Sequence, residues 1–232
     1  MKITFITGAG ISKESGISTF RCSEDSNWNK MKPEDYATLE AWNKNRDEVI
    51  KFYDNRRVEL GEVEPNEAHL YITKMQKNYE FEVNVITQNV DDLHERSGCE
   101  NIIHLHGKLT EIRHLNNSNG HVNVSDKIED IGYTKMKNRD FLRPNVVFFG
   151  EYPHKVNLAM NVLNDSDIIV IVGTSLSITY LNSMIEDVAN EKDVSIYYID
   201  PNPDKTLDVP EVNYIEKVAT EGMKEFYDLF TQ

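Results

Sequence analysis

The stretch Ile86-Thr87-Gln88-Asn89-Val90-Asp91-Asp92-Leu93-His94, followed by His104-Leu105-His106-Gly107, decides how this chain is read. Residues 83–86, apolar but for Asn84, form a run of strand length that ends in Thr87, Gln88, Asn89 and Asp91. Polar groups in that place stand where an open α/β sheet presents its ligand crevice. A second short run, residues 102–105, delivers His106 and Gly107. Two strand ends within about twenty residues thus offer an amide pair, a carboxylate and an imidazole to one site. Gly107 is expected to let a ligand approach the backbone.

Working outward, residues 3–7 read as a first core strand that runs into Gly8-Ala9-Gly10. Such a turn lets a pyrophosphate approach backbone N–H groups near a helix start, and it equally describes a plain strand-to-helix turn. Helical spacing is expected over residues 45–60 and 65–79, the second with Pro65 near its start and Leu70, Ile72 and Met75 available for burial. Beyond residue 144 the pattern alternates: a strand over 144–149, a helix near 154–163, a strand over 167–172, a helix near 180–189, a strand over 194–199 and a last helix over 220–230. That last helix is expected to pack Met223, Phe226, Leu229 and Phe230. Alternation of this kind implies an α/β fold with a Rossmann-like open parallel sheet flanked by helices. Residues 108–143, rich in polar side chains, read as a smaller inserted module whose core is Ile112, Leu115, Ile128, Ile131 and Tyr133. The 232 residues are expected to form one domain: a sheet core of about 1–30, 80–107 and 144–232, a helical insertion of about 31–79, and the module.

A net charge of −14 argues against a nucleic-acid surface and against attraction to acidic lipids, since both need a basic footprint. Two cysteines, Cys22 and Cys99, are too few for a disulfide framework or a four-thiolate metal site. His114 and His121 are the only soft nitrogen donors in the module, so no zinc is expected. Met1 leads directly into the first strand with no apolar signal segment, and no apolar run reaches membrane-spanning length. A cytoplasmic location is expected.

Together with Gly8-Ala9-Gly10-Ile11-Ser12, Gly16-Ile17-Ser18-Thr19-Phe20-Arg21, Arg143-Pro144-Asn145-Val146-Val147-Phe148-Phe149-Gly150-Glu151, Gly173-Thr174-Ser175-Leu176 and Ile199-Asp200-Pro201-Asn202-Pro203, the central stretch resembles the sirtuins. These are NAD-dependent protein-lysine deacylases. Six blocks in matching order cover nearly the whole chain, whereas any one alone would be weak. Ser18 and Thr19 stand where the family carries Pro-Asp, and the four zinc-binding cysteines usual in the family are absent.

The resemblance implies NAD as cofactor and acylated lysine on proteins as partner, with nicotinamide, O-acyl-ADP-ribose and free lysine as products. It assigns cofactor contacts to Gly8, Ala9, Gly10, Ser12, Phe20, Arg21, Gln88, Asn89, Asp91, Gly173, Thr174, Ser175, Asp200, Asn202 and Ala219. His106, with Asn89 and Asp91, becomes the catalytic group, because an imidazole is neutral near pH 7 and can accept a proton from a ribose hydroxyl. By strand alternation His104 shares the face of His106, so motif position alone chooses between them. Asp200 before Pro201 is equally a turn former. Val147 and Phe148 are expected to pair by their backbone with an extended substrate peptide. Phe52-Tyr53-Asp54-Asn55-Arg56-Arg57 resembles the subgroup that removes succinyl and malonyl groups. There Tyr53 and Arg56, three apart on one helical face, would hold the distal carboxylate, although the pair also describes a core-edge tyrosine beside a surface arginine. Two other readings use the same pocket: ADP-ribosyl transfer or NAD hydrolysis, and a non-catalytic NAD-binding module. The oligomeric state is not legible.

Overall fold

The computed structural model describes residues 1–17, 33–118, 121–137, 139–176 and 179–231. The chain runs β1 (Lys2–Thr7), α1 (Ala9–Ser12), α2 (Leu39–Lys44), α3 (Arg46–Leu60), α4 (Glu67–Lys77), β2 (Glu82–Thr87), α5 (Leu93–Arg96) and β3 (Ile102–His104). It continues with β4 (Gly107–Ser118), β5 (His121–Asp130), β6 (Leu142–Val146), α6 (Val156–Asn164), β7 (Ile168–Val172), α7 (Thr179–Glu191), β8 (Ser195–Ile199), β9 (Asn213–Ile215) and α8 (Ala219–Thr231). No described helix is long and apolar enough to cross a membrane.

Six strands form a parallel sheet in the order β3-β2-β1-β7-β8-β9. Its central strands are apolar on both faces, as parallel strands covered by helices must be, and all five residues of β7 are buried. Alternation sorts their side chains. Ile168, Val170 and Val172 meet Ala68, Ile72 and Met75 of α4 and Met223 and Phe226 of α8. Ile169 and Ile171 meet Ala159 and Leu163 of α6 and Leu181, Ile185 and Val188 of α7. The α/β class and the parallel sheet expected from the sequence are therefore present.

The chain fills one half of this sheet with β1, β2 and β3, then returns to the other side of β1 for β7, β8 and β9. The reversal lies between β1 and β7, which pair directly. Ligands of open α/β sheets bind outside the carboxyl ends of the strands at such a point, and the loops Gly8–Gly10 and Gly173–Ser175 both start there.

Strands β4 and β5 pair antiparallel, and β6 adds to the other side of β4, giving an antiparallel sheet of order β5-β4-β6. The strand expected over 144–149 thus belongs to the small sheet, because β6 pairs with β4 rather than with the parallel strands. Likewise α4 packs on the parallel sheet, so the helical insertion excludes it. Within the module, Ile112 and Leu115 are buried, but Ile128 is 45% and Tyr133 37% exposed. Strand β5 lies at an edge with its outer face in solvent, and the core under β4 comes instead from Val49, Ile50, Tyr53 and Leu60 of α3. Leu229 of α8 also faces solvent, on the side turned from Met223 and Phe226.

A buried ion pair ties this module to α3. Arg57 is fully buried; it donates to the Asp54 carboxylate at 2.6 Å, to the Leu109 carbonyl at 2.6 Å and to the Thr134 carbonyl at 3.3 Å. Asp54 in turn accepts the Met136 N–H at 3.0 Å. A second clamp orders the chain after β6: Arg143 grips Glu151 with two hydrogen bonds, 2.7 and 2.9 Å, and lies 4.3 Å over the Phe148 ring. That fork and stacking geometry is particular to arginine.

Candidate active site

The loop after β2 supplies most of the site. Ser12 of α1 is fully buried and donates to the Asp91 carboxylate at 3.0 Å, while the Asn89 amide donates to the Ser12 hydroxyl at 3.1 Å. Asp91 also accepts the Leu93 N–H at 3.2 Å. Burial pushes its carboxyl up to about 6, against the hydrogen bonds from Ser12 and Leu93. Three residues read separately from the sequence, Ser12, Asn89 and Asp91, are therefore one connected unit. The Gln88 amide points the other way, donating to Thr174 Oγ1 at 2.9 Å.

His104 and His106 both lean on this loop, as alternation requires, but their outer nitrogens part. His104 Nδ1 lies 3.1 Å from the Asn89 carbonyl and Nε2 lies 2.9 Å from Glu95. Both ring nitrogens are thus engaged within the chain. Glu95 is half-buried, which favours its neutral form, yet hydrogen bonds and charges from His104 and Lys108 hold its carboxyl at about 2. His106 Nδ1 donates to the Gln88 carbonyl at 2.9 Å, leaving Nε2 as the acceptor of the neutral ring. Burial lowers the pKa of His106, with the Gln88 bond opposing, so the imidazole is neutral at pH 7. Nε2 faces the Tyr180 hydroxyl at 3.1 Å.

The glycine loops pack on each other. Gly10 N–H donates to the Gly173 carbonyl at 2.7 Å, and Gly8 N–H to the Val172 carbonyl at 3.1 Å. A Cβ on Gly10 would lie 2.6 Å from Gly173 Cα, and one on Gly8 would lie 2.5 Å from Thr174 Cβ. Their bare backbone is thus needed for loop-to-loop contact at the sheet reversal. Gly107 differs from expectation: at φ +79° it would place a Cβ 1.9 Å from the Asn145 carbonyl oxygen, so it serves the approach of β6 and not of a ligand.

On the other side of the crevice Asp200 accepts its own turn's Asn202 N–H at 2.8 Å, the turn-forming role. Burial raises its pKa while Lys13, beyond the Gly8 loop, opposes. Ala219 is buried among the side chains of the first core layer. The α8 start beside it is held by Glu14, which accepts the Thr220 N–H at 3.0 Å and hydroxyl at 2.7 Å. Ala9, at the start of α1, and Ser175, after β7, are half-buried. Phe20 and Arg21 lie outside the described residues.

Tyr53 is buried against Phe52 and Phe148, with ring centroids 5.0 and 5.8 Å away. Burial raises its pKa and the Arg56 charge opposes. Arg56, half-buried, has its pKa lowered by burial, with Tyr53, Glu59 and Asp91 opposing. Tyr53 thus packs on Phe148, and the Asp91 charge is felt at Arg56. The backbone of that segment is already engaged: Val147 N–H donates to His106, Phe148 N–H to Glu151 and Phe149 N–H to Ala37. The Val147 and Phe148 N–H groups are therefore engaged within the chain.

Sequence reading missed Tyr180, Glu95 and the Arg143–Glu151 clamp. The only available signal was a charged pair eight apart around an apolar strand end.

The Sir2 family model matches residues 8–180. A protein of Aggregatibacter actinomycetemcomitans named NAD-dependent protein deacylase is 40% identical over 204 residues, covering 85% of this chain and 92% of its own. One of the same name from Helicobacter pylori is 38% identical over 224 residues, covering 96% and 94%. A crystal structure of a Sir2 homolog–NAD complex superposes with a TM-score of 0.82 at 32% identity, over 98% of this chain and 88% of that one. A buried serine, amide and carboxylate joined at the sheet reversal, a neutral histidine beside them and this breadth of likeness lead to one conclusion: the chain belongs to the Sir2 family.

Proposed function

We propose that the protein is an NAD-dependent protein-lysine deacylase that releases nicotinamide, O-acyl-ADP-ribose and free lysine. The observation that carries this reading is a neutral His106 bonded to the carbonyl of Gln88, the neighbour in sequence of Asn89 in the Ser12–Asn89–Asp91 unit. Those residues fit a dinucleotide: the glycine loops offer backbone at the strand ends, and the buried amide and carboxyl suit a carboxamide and sugar hydroxyls. When bound, NAD supplies a ribose carbon whose bond to nicotinamide can be broken. His106 Nε2 then takes a proton from a ribose hydroxyl. Asn89, held through Ser12, and Asp91 orient the nicotinamide end, and Gln88, anchored on Thr174, lies on the ribose side.

Tyr53 and Arg56 extend the proposal to acidic acyl groups, succinyl and malonyl, through a phenol and a planar guanidinium facing one carboxylate. Their support is a shared face of α3 close to Asp91 and Phe148. A zinc-free module, held by the Asp54–Arg57 pair, and a cytoplasmic location complete it.

The test is a panel of acetyl-, succinyl- and malonyl-lysine peptides with NAD, following nicotinamide and free peptide together. His106→Ala should abolish turnover with the fold intact. Arg56→Ala should damage succinyl-lysine hydrolysis far more than acetyl-lysine hydrolysis, and chelator should leave activity in place. Nicotinamide release without any peptide would favour NAD hydrolysis, and NAD binding with no turnover would reject the enzyme.

A further inference from the structure

Tyr180 enters the site from the first turn of α7, beside the fully buried Leu181 that fixes this turn on the sheet. Its ring meets the His106 ring edge to face, centroids 6.4 Å apart, and its hydroxyl lies 3.1 Å from Nε2. The Gln88 carbonyl at Nδ1 can only accept, so the neutral ring carries its proton on Nδ1 and its lone pair on Nε2. The Tyr180 hydroxyl donates into that lone pair. Burial raises the phenol's pKa, so it keeps its proton at pH 7.

Nε2 is the one atom through which His106 can act as a base, and in this geometry it is occupied. We propose that Tyr180 is a positioning residue that holds the proton-accepting nitrogen of His106 until a substrate hydroxyl replaces it. The second half of this statement rests on the assignment of His106 as the base. The phenol fixes the useful tautomer and keeps the lone pair from water, and its bond is weak enough to exchange. A neutral hydrogen bond of this kind shifts such an exchange by about 2- to 12-fold.

Tyr180→Phe removes the hydroxyl and keeps the ring, whereas Tyr180→Ala removes both. Diethyl pyrocarbonate acylates an unprotonated imidazole nitrogen, and mass spectrometry of the His106 peptide reads its rate, with half-exposed His114 in the same sample as standard. At pH 7 without ligand, Tyr180→Phe should raise the His106 rate about 2- to 12-fold. Equal rates in wild type and Tyr180→Phe would overturn the proposal, and acceleration in Tyr180→Ala alone would show a steric shield instead. Independently of any variant, 15N spectra of the wild-type imidazole should place the proton on Nδ1; a proton on Nε2 would also overturn it.

In the peptide assay, the ratio of deacylated peptide to nicotinamide exchanged back into NAD should rise by the same factor in Tyr180→Phe, and an unchanged or lower ratio counts against an exchangeable latch. A protein that deacylates nothing yet shows the modification pattern would defeat the proposed function and leave the Tyr180 contact standing. Turnover with equal modification rates would do the reverse.

Discussion

Replacing Asp91 by Asn should stabilise the protein at alkaline pH while removing its activity. Asp91 is buried, and its pKa rises from 3.8 to about 6 on folding. The native state therefore binds more protons than the unfolded one across that window, so stability falls as pH rises through it. The cost is about 0.6 kcal/mol at pH 4 and about 3 kcal/mol at pH 8, the second being the whole shift. Asn carries no such cost. Losing the acceptor that Ser12 now uses subtracts about 1 kcal/mol independently of pH. Urea unfolding of both proteins at pH 4, 6 and 8 isolates the titrating part, because the shared background cancels. The stability of Asp91→Asn relative to wild type should grow by about 2.4 kcal/mol from pH 4 to pH 8. A difference that stays constant or shrinks would refute the argument that burial of this charge is a net cost that the Ser12 and Leu93 hydrogen bonds only partly offset.

Asp54→Ala leaves the fully buried Arg57 cation without its counter-charge and should cost about 3–5 kcal/mol in urea unfolding, whereas less than about 1 kcal/mol would deny that this pair holds the module. Gly107→Ala forces a side chain onto the Asn145 carbonyl at positive φ; strain alone costs about 1–2 kcal/mol, so a clearly lowered melting temperature is expected, and an unchanged one would contradict the backbone approach. The acid limb of kcat for deacylation should fall below pH 6.5, because burial lowers the pKa of His106 and both neighbouring groups, the Tyr180 phenol and the His154 imidazole, are neutral at pH 7. A limb centred above pH 7 would exclude His106 as the base.

The parallel sheet was legible because its strands are short apolar runs ending in polar groups, a pattern that burial on both faces imposes on β1, β2 and β7. Helix α3 was legible through its spacing. The small sheet was not: β5 exposes one face and alternates polar residues with Val124 and Ile128, so nothing apolar marks it. The hexapeptide α2 was too short to display a period. Within the site, Asn89, Asp91 and His106 stood out as polar groups after strands, but the partners that define them do not. Ser12 is 79 residues from Asp91 and Tyr180 is 74 from His106. Linear spacing carries no trace of such pairings. The two histidines at and just past the end of β3 show the same limit, since only Glu95 on one and Tyr180 on the other separates their roles.

The pairing of β1 with β7 joins residue 3 to residue 168. A growing polypeptide therefore makes the Gly8 loop long before its packing partner at Gly173 exists, and the central strand waits with one edge open while some 160 residues follow. Acquisition of cofactor affinity should consequently be a late and abrupt event in biosynthesis, with earlier nascent chains presenting a raw strand edge that calls for chaperone cover.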